Sequence, residues 1–127
     1  MGKLIAIAGV IFTLSAASVH AVPLDDSAWK ELRARLAASA TDARGDRPED
    51  ALRKCNEAQS YAARYDQDAL ILGRIEICFG RAALFRNDRN AACVAYAQAL
   101  RFLTSADPTH AMLDLDHTRR SHRELGC

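Results

Sequence analysis

From Trp29 onward, apolar residues return every three or four positions, the interval of a helix face rather than the alternation of a strand. Trp29, Leu32, Leu36 and Ala40 place a first helix over 27–40, with Asp26 or Ser27 as its cap. Residues 41–45 are polar and predict a loop. Asp46 then offers a cap, and Pro48 falls in the first turn, where its missing N–H costs nothing. Glu49 and Asp50 suit the positive end of this second helix. Its buried face is Ala51, Cys55, Ala58 and Ala62, and it ends near Arg64. A short link at 65–67 leads to a third helix over 68–85, striped by Ile71, Ile75, Cys78, Ala82 and Phe85. After 86–88 a fourth helix carries Cys93, Tyr96, Leu100 and Leu103. Asp107 as cap and Pro108 at the first position open a fifth, with a weaker apolar face of Met112, Leu115 and Leu125. Gly126-Cys127 closes it.

Short links make consecutive helices antiparallel neighbours. The expected fold class is therefore all-α: antiparallel helical hairpins, about five helices in all. Ala, Leu and Arg are abundant and favour helix, while β-branched residues are few after Pro23.

The first residues follow a different pattern. Met1-Gly2-Lys3 is a short positive segment, 4–17 is an apolar run without a charge, and Ser18-Val19-His20-Ala21 supplies small residues for a signal peptidase. Cleavage is expected after Ala21, leaving 22–127 as a single helical domain. The apolar run is shorter than the roughly 20 residues of a bilayer span, so no stable membrane insertion is expected after cleavage. No cysteine follows the cleavage point to carry a lipid. The style of the segment is bacterial, and the expected address is the periplasm.

The whole chain has 17 Lys and Arg against 16 Asp and Glu, and removal of Lys3 brings the mature charge close to zero. No long basic block is present, so the electrostatic footprint of a nucleic-acid binder is missing. A mature chain of this size buries only a thin core, and cross-links would help it.

The four cysteines, Cys55, Cys78, Cys93 and Cys127, all follow the export segment. Three connectivities are open. Residues equidistant from the link of an antiparallel hairpin face one another, and Cys55 and Cys78 are centred on Asp66-Gln67. Hairpin geometry thus favours Cys55–Cys78 with Cys93–Cys127. The rival is Cys78–Cys93, centred near Phe85-Arg86, which leaves Cys55 to reach Cys127. No Cys-x-x-Cys spacing marks a redox-active pair.

Two stretches repeat one another. Gly45-Asp46-Arg47 leads into Ala51, Cys55 and Ala58, and Asn87-Asp88-Arg89 leads into Ala92, Tyr96 and Ala99, about 41 residues on. Gly80 stands twelve residues before Ala92, and Asp107-Pro108 follows. Across 45–108 this pattern resembles the tetratricopeptide repeat, whose second helix has Ala, an aromatic and Ala at this spacing. The period is longer than the ~34 residues of that repeat, and Cys55 stands where the aromatic belongs. The resemblance implies a surface that binds a protein partner rather than catalysis.

Candidate chemistry is sparse. His110, Asp114 and His117 fall at i, i+4 and i+7, a spacing that puts two imidazoles and a carboxylate on one helix face as a candidate metal set. The plain alternative is a solvated polar face beside Arg119, Arg120 and Arg123. Tyr61 and Tyr65, with Arg64 between them, form a candidate contact point, since aromatics and arginine anchor interfaces. Arg81 joins them as a candidate for an acidic partner. No nucleophile arrangement, no glutamate pair and no phosphate-cradling glycine loop is present, so neither catalysis nor a cofactor is expected. The expected role is an exported adaptor or scaffold that binds another envelope or periplasmic protein. An inhibitor or immunity protein blocking a toxin or cell-wall enzyme is the first alternative, and a metal-handling protein the second.

Overall fold

Five helices follow one another in the computed structural model, which describes residues 22–127. They are α1 Asp26–Arg44, α2 Pro48–Ala62, α3 Ala69–Phe85, α4 Arg89–Ser105 and α5 Pro108–Glu124. The expected export signal at 1–21 lies outside the described residues. Four helices open on an aspartate: Asp25, Asp68, Asp88 and Asp107 each accept a hydrogen bond from an N–H of the first turn. A cap of this kind is worth about 1 kcal/mol. Asp107 and Pro108 stand as expected, while the cap of α1 is Asp25 rather than Asp26 or Ser27. α2 has no side-chain cap. Asp46, expected there, instead holds the left-handed backbone of the turn at φ 61°, and Arg47 precedes the helix.

α1 also runs a full turn further than its polar end suggests. Residues 41–44 are helical because Ser39 and Asp42 are buried and held by the chain that follows. Ser39 donates to the Ala51 carbonyl at 2.7 Å, and Asp42 forms ion pairs with Arg47, just before α2, and with Lys54 within it. These two cations hold the Asp42 carboxyl below its ordinary pKa, Lys54 foremost. Phe85 and Met112, counted above among apolar stripes, are exposed. The chain turns at 86–88 before any element covers Phe85. On α5 the close approach to α4 is made by Ala111 and Thr118 instead.

The helices stack as two layers. α1, α3 and α5 form one, α2 and α4 the other. α1 packs on α2 and α3, α2 on α3, α3 on α4 and α5, and α4 on α5. Hairpins alternate in direction, so α1, α3 and α5 all begin at the same end of the molecule.

The internal repeat holds residue by residue at an offset of 41. Asp46 and Asn87 occupy it, and both have left-handed backbone, φ 61° and 62°. The N–H of the residue after each donates to the equivalent carbonyl, Asp42 at 2.8 Å and Ala83 at 2.9 Å. Ser39 and Cys55 touch in the first hairpin at 3.1 Å, and Gly80 and Tyr96 meet at the same offset in the second. A Cβ at Gly80 would lie 2.9 Å from the Tyr96 ring, so the glycine makes room for that aromatic. Sizes are exchanged at a second pair: Leu32 clusters with Ala62 in one hairpin, and Gly73 receives Leu103 in the other.

Two disulfides close the stack, Cys55–Cys78 and Cys93–Cys127, each with Cα atoms 5.7 Å apart. The connectivity is the one favoured by hairpin geometry. Cys55–Cys78 joins α2 to α3, the seam between the two hairpins. Cys93–Cys127 ties the end of α5 back to α4. Arg89 adds to that clasp by donating to the carbonyls of Leu125 and Gly126 at 2.7 and 3.1 Å.

Candidate functional site

α1 and α5 flank α3 without packing on each other, and a valley is left between them above α3. Its position follows from the sequence. The apolar faces of α1 and α5 are spent on α2 and α4, and the residues turned to the valley are mixed: Leu36, Ala37 and Ala40 from α1, Arg74, Ile77 and Arg81 from α3, Asp114 from α5. This hollow measures about 190 Å³.

Arg74 crosses the valley. Its guanidinium donates to the Asp114 carboxylate at 2.8 Å and approaches the Trp29 ring at 5.3 Å, so one side chain touches all three helices of the layer. Arg33 approaches the same ring at 5.9 Å. Trp29 is half-buried and packs on the Leu32, Ala58 and Ile71 cluster beneath.

Arg81 lies further along the same valley and is different. None of the ion pairs or side-chain hydrogen bonds among the described residues engages it. Burial pushes its pKa down, Tyr96 and Asp114 pull it up, and Arg44 of α1 pushes it down again. A guanidinium partly drawn out of water, with its nearest carboxylate bridged to Arg74, is costly unless something external pairs with it.

Beyond Arg74, at the end where α1, α3 and α5 begin, the valley opens into a larger cavity of about 590 Å³. Leu24, Trp29, Leu70 and Ile71 line its apolar part, and Asp26, Asp66, Asp68 and His110 its polar part. The link between α2 and α3 forms one wall. That link is anchored to the start of the domain, where the Asp66 N–H donates to the Val22 carbonyl at 2.9 Å.

The candidate residues divide between these features. Tyr61, Arg64 and Tyr65 do come together: the two rings are 5.6 Å apart, and Arg35 and Arg64 stand over Tyr61 at 4.8 and 5.4 Å. Tyr65 raises the pKa of the Tyr61 phenol. Arg81 is not part of that patch. Tyr61 and Arg64 face away with Arg53 and Ser60 of α2, whereas Arg81 faces the valley.

His110, Asp114 and His117 do not form a ligand set. Among the described residues no three His, Cys, Asp or Glu side chains converge to hold a metal ion. Asp114 is turned to α3 and occupied by Arg74, and His110 lines the cavity. Spacing along one helix shows which residues share a face, not which neighbour claims them. The acidic cavity was not expected from the sequence, because its lining comes from three stretches far apart in the chain, 23–29, 66–71 and His110.

Among the described residues, no helix is long and apolar enough to cross a membrane. Comparison with known protein families, with characterised proteins and with solved structures yields no match to any of the three.

Proposed function

We propose that this chain is an exported, disulfide-held helical-repeat module that acts in the periplasm by binding another envelope protein, as an adaptor or scaffold. The surface that makes the contact is the valley of α1, α3 and α5. The observation that carries the reading is Arg81: a partly buried cation, repelled by Arg44 and paired with no carboxylate, above a floor of Leu36, Ala40 and Ile77. Such a site favours an acidic group brought by a partner, because the guanidinium is already partly withdrawn from water. Two cross-linked hairpins add little ordering cost at binding. Oxidised cysteines fit an address outside the reducing cytosol. The resemblance to tetratricopeptide repeats, and the residue-by-residue repeat at 41, support the same use of the stack.

The test is capture of periplasmic proteins by the mature chain and by its Arg81→Gln variant, read by mass spectrometry. A specific partner held by the first and lost by the second supports the reading. A partner held equally by both, and lost instead on Tyr61→Ala, moves the contact to the far patch and overturns the valley. Assay of the captured protein then separates the roles: an enzyme silenced by the chain identifies an inhibitor, and one left active an adaptor.

A further inference from the structure

The valley has opposite charge at its two ends, and the separation of the ends is fixed by α3. We infer that a single extended segment of the partner occupies the valley lengthwise, with a lysine or arginine in the cavity at the N-terminal end and an acidic residue at Arg81. This rests on the reading that the valley binds a protein.

The cavity supplies the basic half. Its apolar lining of Leu24, Trp29, Leu70 and Ile71 suits the aliphatic stem of a long basic side chain, and Asp26, Asp66 and Asp68 suit the charged head. None of the three carboxylates belongs to an ion pair among the described residues. Asp68 accepts from the Ile71 N–H through one oxygen at 2.9 Å, which leaves the other free. At about 590 Å³ the cavity exceeds one side chain, so the residues flanking the cation enter with it. The three carboxylates are exposed at its rim beside His110, and a neutral apolar ligand would cover them without return.

Geometry sets the spacing. Ile71 borders the cavity and Arg81 the other end, both on α3. Ten helical residues rise about 15 Å. An extended chain advances about 3.3 Å per residue, so the two charges of the partner stand about four to five residues apart. Between them the segment passes over the Arg74–Asp114 pair and beside Trp29. The opposite polarity of the ends also fixes which way the segment lies.

Synthetic peptides test this on the full mature chain. Each carries one Lys and one Asp in a neutral host, at every separation from adjacent to well beyond the expected one, and in both orders. Trp29 is the only tryptophan and borders the cavity, so its fluorescence reports occupancy. Binding is expected to peak at the four-to-five separation in one order, ~5-fold or more tighter than peptides with Lys alone or Asp alone. Asp26→Asn/Asp66→Asn should reduce the best peptide to the level of the Asp-only one, and Arg81→Gln to that of the Lys-only one. Circular dichroism confirms that both variants fold.

Binding that ignores separation, or an Asp-only peptide as tight as the best, overturns the two-ended reading and leaves Arg81 as an anion site. Cadaverine binding as tightly as the best peptide makes the cavity a free-amine site and also overturns it. If no peptide binds, the inference falls, while the capture experiment with Arg81→Gln still decides the broader reading.

Discussion

Asp42 is a polar residue doing the work of a core residue. It sits buried at the end of α1 and is engaged by Arg47 and Lys54, which lower its pKa. A carboxyl with a lowered folded pKa adds stability above its ordinary pKa and loses it as pH falls through the lowered value. Unfolding followed against pH should therefore show a loss below about pH 4 that is smaller in Asp42→Asn, a variant already less stable at neutral pH. Glu76 works the other way. Burial raises its pKa, so ionisation is a burden at neutral pH, and Glu76→Gln should unfold at higher temperature there with the gain vanishing in acid. Gly80 is the third such residue. Ala favours helix by up to about 1 kcal/mol, but a methyl 2.9 Å from the buried Tyr96 ring overpacks by about 1–3 kcal/mol. Gly80→Ala should lower the denaturation midpoint, and shrinking the aromatic in Gly80→Ala/Tyr96→Leu should recover part of the loss.

At the scale of elements, α5 is held differently from the rest. Its packing face buries only Ala111 and Thr118, with Leu115 and Leu125 half-covered against α4. The Arg89 hydrogen bonds and the Cys93–Cys127 bridge secure its far end. Cys127 is exposed, whereas Cys55 and Cys78 are buried. Mild reductant followed by alkylation and mass spectrometry should open Cys93–Cys127 first, and amide exchange should then rise in α5 before any other helix. Reduction of both bridges at the same rate would contradict this. The elements themselves were legible: the cap at Asp107, the stripe of α3 as far as Ala82, and the pairing of cysteines about the 65–67 link all follow from local pattern. The last turn of α1 was not. Thr41, Asp42 and Arg44 look like loop until Lys54, twelve residues past Asp42, is known to reach back to it.

Over the whole molecule, two hairpins and a fifth helix make a short stack in which each unit touches only its neighbours. Arrays of this kind lose cooperativity at the seams between units. Cys55–Cys78 spans the seam between the hairpins, and Cys93–Cys127 the one before the last helix. Replacing Cys55 and Cys78 by Ser should cost about 2–4 kcal/mol and split denaturant unfolding into two steps, read by comparing Trp29 fluorescence with helical signal. The valley was only half legible. Arg81 stood out as a cation, but its lack of an ion pair depends on Arg44 nearby and on Arg74 engaging Asp114 across the helix layer, and no linear pattern contains that.

The turns at 45–47 and 86–88 are locked by their left-handed residues and by the offset they share, so insertions there would throw a hairpin out of register. The longer stretch at 63–68 carries no such lock. It is also a wall of the acidic cavity, through Asp66, Gln67 and Asp68. Because this stretch lies between the hairpins and is tied only to Val22, a change in its length would reshape the cavity wall while both hairpins keep their register.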